Sequence, residues 1–135
     1  MRQVGALPFR FAGHEPGVAL EVLLVTSFRT KRWIIPKGNV DGGMPPHIAA
    51  AQEAEEEGGV RGQIGELPIG CYCYGKLRFG AICTLEVDVF PLEVREVLAE
   101  WPEMRIRERR WLPIQEAADT VEEMELAEII RLFRP

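Results

Sequence analysis

The chain has 135 residues, of which 47% are apolar, enough for one hydrophobic core and one domain but hardly for two. Sixteen basic residues against 21 acidic ones give a formal charge of −5, which argues against a dedicated nucleic-acid binder and makes RNA an unfavoured partner. The most apolar stretch, residues 18–25, is interrupted by Glu21 and falls far short of the roughly 20 residues a membrane span needs.

The three cysteines, Cys71, Cys73 and Cys83, and an opening Met-Arg-Gln without a signal-like run predict a reduced, cytoplasmic protein. Monomer and homodimer are both left open.

Residues 4–12 read as a strand, separated from a second strand at 18–26 by the turn formers Gly13, Pro16 and Gly17. A short third strand at 32–35 runs into Pro36-Lys37-Gly38 and then Asp41-Gly42-Gly43, a loop too rich in Gly and Pro for regular structure. Pro45 and Pro46 prepare a helix start, and the helix is predicted over 46–57 with a stop at Gly58-Gly59. Strands at 62–74 and 77–90 meet at Gly75-Lys76 as a hairpin. An acidic connection through Trp101-Pro102-Glu103 leads to a strand at 105–112, and 114–133 reads as one closing helix carrying Leu126, Ile129, Ile130 and Phe133 at helical spacing. Strands, helix, strands, helix in that order favour a mixed sheet covered by helices.

On the first helix Glu53, Glu56 and Glu57 fall within an arc of roughly 100°. Ile48, Ala51 and Ala54 fall on the other side, which orients most of the acid outward and the small residues toward the sheet. Like charges at these spacings repel, and the negative end of the helix dipole adds to the repulsion, so something cationic is expected nearby. Hard divalent cations take oxygen ligands of this kind. A solvated acidic face is the ordinary reading of such a run.

What argues against the ordinary reading is the frame. Gly38, Glu53, Glu56, Glu57, Gly59 and Val60 stand at the spacing of the Nudix box: glycine, five residues, glutamate, seven residues, Arg-Glu, aliphatic, any, Glu-Glu, any, glycine, aliphatic. The chain thus resembles the Nudix family. Two positions depart from the pattern, with Met44 in place of the first glutamate and Gln52 in place of the arginine. In the family those two are regarded as an ion pair that supports the loop and helps orient the neighbouring glutamate. Losing both avoids stranding one charge, yet leaves Glu53 less firmly placed.

Glu21-Val22-Leu23-Leu24-Val25, 32–38 and the run from Trp101-Pro102-Glu103 to Arg110-Trp111-Leu112 are similar to the branch of diphosphoinositol polyphosphate and diadenosine polyphosphate hydrolases. The resemblance implies an α/β/α sandwich around a mixed β-sheet. It also implies hydrolysis of a phosphate–phosphate linkage in a small diphosphate-containing molecule, with Mg²⁺ or Mn²⁺ as cofactor. Glu53, Glu56 and Glu57 are implied as catalytic residues and metal ligands, with the Gly38 carbonyl as a further ligand and Glu100 or Glu103 as an additional acid from beyond the box. Two other readings stay in view: removal of pyrophosphate from RNA ends or damaged nucleotides, and a ligand-binding or regulatory domain whose activity has decayed, kept alive by Met44 and Gln52.

For the substrate's phosphates the sequence offers Arg29, Lys31, Arg32 and Lys37 just before the box, with Arg10, Lys76 and Arg78 from neighbouring strands. Arg105, Arg107, Arg109 and Arg110 read as solvated residues of a strand edge. The cysteines lack the paired spacing of a zinc site and read as buried thiols. His14 and His47 read as surface residues, and Trp33 as core rather than a stacking platform.

Overall fold

The computed structural model describes residues 2–13, 19–40 and 42–135, without the side chains of 76–78 and 83. His14, Asp41, Cys83 and the proposed phosphate contacts Lys76 and Arg78 therefore lie outside the described groups. Among the described residues eight strands form one mixed sheet. They are β1 (Arg2–Phe11), β2 (Leu20–Thr26), β3 (Trp33–Ile34), β4 (Lys37–Gly38), β5 (Val60–Ile64), β6 (Gly70–Arg78), β7 (Ala81–Val97) and β8 (Arg109–Pro113). β1 runs antiparallel to β2 and parallel to β7, and β2 pairs along its other edge with β8. Three helices cover the sheet: α1 (Pro46–Glu53), α2 (Ile114–Thr120) and α3 (Met124–Leu132).

Period-two alternation sorts each strand's side chains between two cores. Val4 and Ala6 of β1 join Leu23, Val60, Phe90 and Leu92 beneath α1, while Leu7 and Phe9 join Val22, Leu24, Tyr72 and Val87 beneath α2 and α3. The result is the expected α/β/α sandwich.

Several boundaries differ from the sequence reading. The stretch read as one strand over 62–74 is two, β5 and β6, separated by a connection at 65–69. The hairpin turns not at Gly75-Lys76 but at Phe79-Gly80, both with positive φ (51° and 77°). That is the twist a two-residue hairpin turn needs, and Gly75 instead pairs with Thr84.

β7 continues past Pro91 because that proline stands between its two successive partners. β6 pairing ends at Val89 and β5 pairing begins at Leu92, while the Pro91 carbonyl accepts from Gly65 N at 2.8 Å, so the missing N–H breaks no ladder bond. Residues 105–108 are turn and loop rather than strand. The closing helix is broken at 121–123, where Thr120 donates its hydroxyl back to the Glu116 carbonyl (2.6 Å) and buried Val121 adopts extended geometry.

Cys71 and Cys73 do share a face, but it is the exposed one; Tyr72 between them takes the buried side. His47 is partly exposed, and Trp33 is half-buried against the core beneath α2, with Arg110 over its ring at 5.1 Å. Among the described residues no helix is long and apolar enough to cross a membrane.

Candidate functional site

α1 begins, as expected, with proline in its first turn and has no side-chain cap. It runs on directly into a π-helical turn, Ala54–Gly58, and Gly59 ends the helical segment in the left-handed region at φ 66°. Such turns are rare and cluster at functional sites. Because the wider turn advances less per residue, the glutamates do not keep the positions that uniform α-helical spacing predicts.

The helix buries Ala49, Ala50, Ala54, Glu57 and Gly58, whereas Ile48 is 43% exposed. The expectation that the acid faces outward is therefore corrected for Glu57, only 6% exposed. Small residues bring this helix close to the sheet: a Cβ on Gly58 would meet Leu23 at 2.9 Å. The close approach carries the Glu57 carboxylate to the sheet edge, where it accepts from Lys37 N at 3.1 Å.

Gly38, paired with Val4, lies directly beneath Glu53. A Cβ there would stand 2.5 Å from the Glu53 carboxyl carbon, so a side chain at this position would push the carboxylate out of its present place. Glu56 is partly exposed and accepts from the Gln52 side chain at 3.2 Å. Met44 is half-buried against the core beneath α1, so the loop before the helix is held by apolar contact where the pattern places a charge.

The loop between β7 and β8 closes over the helix end. Glu103 N donates to the Glu56 carbonyl (3.0 Å), and Trp101 Nε1 donates to the Glu57 carbonyl (3.1 Å). Arg109 lies over the Trp101 ring at 3.8 Å and donates to the carbonyls of Gly58, Gly59 and Leu98 (3.1, 3.2 and 2.7 Å). Carbonyls at a helix C-terminus have no partner within the helix, and these two side chains supply one. A side chain on Gly59 would collide with both, since a Cβ there falls 2.6 Å from Arg109 and 2.8 Å from Trp101.

Arg107 donates to Glu57 Oε2 (3.1 Å), Glu103 Oε1 (2.8 Å) and the Thr26 carbonyl (2.9 Å). The solvated-edge expectation is thus overturned for Arg107 and Arg109, which are drawn in by carboxylate and carbonyl acceptors invisible from residues 105–110 alone. Arg105 and Arg110 are exposed as expected.

Four carboxylates therefore gather: Glu53, Glu56, Glu57 and Glu103. Burial, followed by the charges of Glu57, Glu56 and Glu103, pushes Glu53 up to about 8. Burial likewise raises Glu57, to about 7, against the opposing pull of Arg107 and the Lys37 N–H. Both shifts have the same origin: a carboxylate taken out of water beside other carboxylates is harder to ionise. Among the described residues no three acidic, cysteine or histidine side chains form a finished metal-ligand set.

Of the basic residues singled out, Lys37 is nearest the acids, with its ammonium 4.5 Å from the Tyr74 ring centre. Arg29 and Lys31 are exposed on the turn between β2 and β3, and Lys31 donates to the Ile106 carbonyl at 3.4 Å. Arg32 is turned away toward α3, paired with Glu122 (2.9 Å) and Glu123 (3.1 Å), and Arg10 is paired with Glu21 (3.0 Å) over the Trp111 ring. Glu100 is exposed, so Glu103 is the acid that its loop brings to the cluster.

A cleft of about 370 Å³ between Ile64, Ile69, Pro91 and Phe133 is lined by none of the four gathered glutamates.

Known proteins bear on this arrangement. "Nudix hydrolase 12, mitochondrial" of Arabidopsis thaliana is 36% identical over 104 residues, covering 74% of this chain and 51% of its own length. "Diphosphoinositol polyphosphate phosphohydrolase 3-alpha" of Mus musculus is 37% identical over 100 residues, covering 72% and 57%. The chain thus spans little more than half the length of these curated relatives. The crystal structure of the C. elegans Ap4A hydrolase superposes with a TM-score of 0.66 at 20% identity, covering 96% of this chain and 92% of that one, which shows a shared fold. The family model of the NUDIX domain matches residues 1–133, and the chain accordingly belongs to the NUDIX family.

Proposed function

We propose that this chain hydrolyses a phosphate–phosphate linkage in a small nucleoside-diphosphate-linked or diphosphoinositol polyphosphate-type molecule, with Mg²⁺ or Mn²⁺ held by Glu53, Glu56, Glu57 and the carbonyl of Gly38. The observation that carries the reading is the crowding of Glu53 and Glu57 with Glu56 and Glu103, both of the first two raised far above the ordinary carboxylate value, with Glu53 seated over Gly38. Divalent cations of this hardness favour such oxygen donors, and a cation here would relieve the repulsion among the acids. The printed names of the mouse and C. elegans proteins support the substrate class.

When bound, the metal would neutralise phosphoryl oxygens and acidify a water molecule. The chain's own part is to hold its carboxylates on one side of the cleaved linkage and to offer Lys37, with Arg29 and Lys31 on the neighbouring turn, to the remaining phosphate charge. Glu57 is held between the Lys37 N–H and Arg107, so it is the better fixed of the two raised carboxylates. Glu53 and Glu57 are the candidates to take a proton from the attacking water, being the two carboxylates buried in the cluster. The cytoplasm is the proposed compartment, on the free thiols Cys71 and Cys73; the organelle labels belong to the plant relatives.

The test is a hydrolysis screen with Mg²⁺ and with Mn²⁺ over sugar nucleotides, dinucleoside polyphosphates, nucleoside triphosphates and inositol pyrophosphates, run beside Glu56→Gln and Glu57→Gln. Each variant should lose at least ~100-fold, the upper end of what disturbing even an outer partner of a metal ligand costs. Wild type and both variants behaving alike on every compound would end the reading.

A second reading, binding without turnover, draws on Met44 packed into the core and Gln52 hydrogen-bonded to Glu56, where the family pattern has an ion pair. Met44→Glu with Gln52→Arg separates the two: phosphate release that appears only in the double variant favours it.

A further inference from the structure

No lysine or arginine occurs between Pro46 and Gly58, so the helix that carries Glu53, Glu56 and Glu57 has no strong cation of its own to hold them. Gln52, on the same helix, reaches only the partly exposed Glu56. The buried carboxylate is met instead from 50 residues away in sequence.

We propose that Arg107 is a positioning residue for the acid cluster, using its planar fork to lock Glu57 and Glu103 toward one shared volume. The inference rests on the metal-site reading above and deepens it.

Three contacts carry the argument. The Arg107 side chain is 12% exposed, and its Nε, Nη1 and Nη2 each reach a different segment: Glu103 of the closing loop, the Thr26 carbonyl at the end of β2, and Glu57 of the π-helical turn. A guanidinium presents fixed donors in one plane, so three acceptors held by one fork have their relative positions fixed. An ammonium on a flexible stem would not do this. The loop is tied down independently beside it, through Glu103 N to the Glu56 carbonyl and Glu108 N to Thr26 Oγ1 (2.9 Å).

One guanidinium cannot balance four gathered carboxylates, so Arg107 does not replace a divalent cation. Its charge also repels one. A residue whose main effect was competition would leave the cation more tightly bound when removed, whereas a positioning residue leaves it more loosely bound. The two roles predict opposite signs.

The experiment measures Mn²⁺ affinity directly, from the electron paramagnetic resonance of free Mn²⁺, for wild type, Arg107→Met, Arg107→Lys, Glu57→Gln and the Arg107→Met/Glu57→Gln double variant. Circular dichroism verifies folding in each case. Arg107→Met should bind Mn²⁺ ~10–100-fold more weakly, the range typical for losing a group that orients a metal ligand. Arg107→Lys should recover only part of that loss. In the Glu57→Gln background the Arg107→Met change should add little, because its main route of action is already gone.

Unchanged or tighter Mn²⁺ binding by Arg107→Met overturns the inference, as do losses that simply multiply in the double variant. Should Arg107→Met fail to fold, Arg107→Lys carries the contrast: weaker binding with the charge kept supports positioning, and unchanged binding overturns it. Wild-type protein that binds no Mn²⁺ overturns the metal-site reading and this inference with it. Wild-type binding matched by Arg107→Met overturns this inference alone.

Discussion

The two faces of the sheet are built from different materials. Beneath α2 and α3 the core holds large side chains from sheet and helices alike, Leu7, Phe9, Tyr72, Leu126, Ile130 and Phe133 beside Ala117, Ala118 and Ala127, with the rings of Phe9 and Phe133 meeting edge-on at 5.0 Å. Beneath α1 the helix contributes only alanines, Ala49, Ala50 and Ala54, to a smaller core. A thin layer of alanines lets a helix backbone approach a sheet closely. Only then can a side chain as short as glutamate reach a backbone N–H on the neighbouring strand, as Glu57 does with Lys37. One face is thick and holds the fold together, while the other is thin and brings carboxylates to bear.

If that division is right, damage to the thick face should lower stability and spare the site. Ile130 is fully buried. Ile130→Ala should destabilise the protein by ~2–5 kcal/mol in chemical denaturation, while the folded fraction binds Mn²⁺ as wild type does. A change in that affinity would mean that the two faces are mechanically one.

Damage to the thin face should do both kinds of harm. Ala50 is fully buried against the sheet, so Ala50→Val has nowhere to put its extra methyl groups except by pushing α1 outward. The expected loss of stability is ~1–3 kcal/mol, accompanied by weaker Mn²⁺ binding because Glu57 is withdrawn from the strand. Full Mn²⁺ affinity in this variant would show that close approach is not what places the carboxylate.

The same contrast governs what the sequence could reveal. Local pattern was enough for β1, β2, the start of α1 and the stop at Gly59, because alternation, proline and glycine act within a few residues. The box spacing drew attention to Glu53, Glu56 and Glu57. It did not reveal which of them is buried, since that depends on the π-helical turn and on how closely α1 sits.

The cationic compensation expected at the helix end is supplied in part by the protein itself, through Arg107 and Arg109. Their partners lie about 50 residues away in the chain, so a pattern of alternating arginines looked like an edge facing water. Phe79 at the hairpin tip was missed for a related reason: a non-glycine residue at positive φ runs against its own local preference.

Acidity provides a finer test of the thin face. Glu53 and Glu57 are raised to about 8 and about 7 from an ordinary 4.5. Well below pH 4.5 both carboxyls are protonated, folded or unfolded, and neither affects stability. As pH rises toward 8, the unfolded chain gives up these protons first, so the metal-free fold loses stability across that window. A bound cation takes the place of the protons, so the stabilisation by Mn²⁺ should grow between pH 6 and 8. Its slope should be on the order of 1 kcal/mol per pH unit for each proton displaced. Thermal melts at fixed free Mn²⁺ measure it, and a stabilisation that stays flat with pH would mean that the acids are already ionised without metal.

The smallest effect belongs to a charge on the rim of the thick face. Arg32 stands beside the loop that leads into the box, yet its guanidinium is taken up by Glu122, which is exposed, and Glu123, whose side chain is only 11% exposed. Pairs of this kind contribute about 1 kcal/mol or less, and Arg32→Met should lower stability by that much. Part of the loss comes from leaving Glu123 with neither carboxylate oxygen paired, since its second oxygen is buried without a partner. Adding Glu123→Gln should therefore recover some of it. Because the guanidinium is committed to the start of α3, KM for the substrate found in the screen should stay within ~2-fold, the scale of losing a weak exposed ion pair. A tenfold rise in KM would show that Arg32 leaves Glu122 and Glu123 to meet phosphate, and the boundary between a structural face and a working face would then have to be drawn through this arginine.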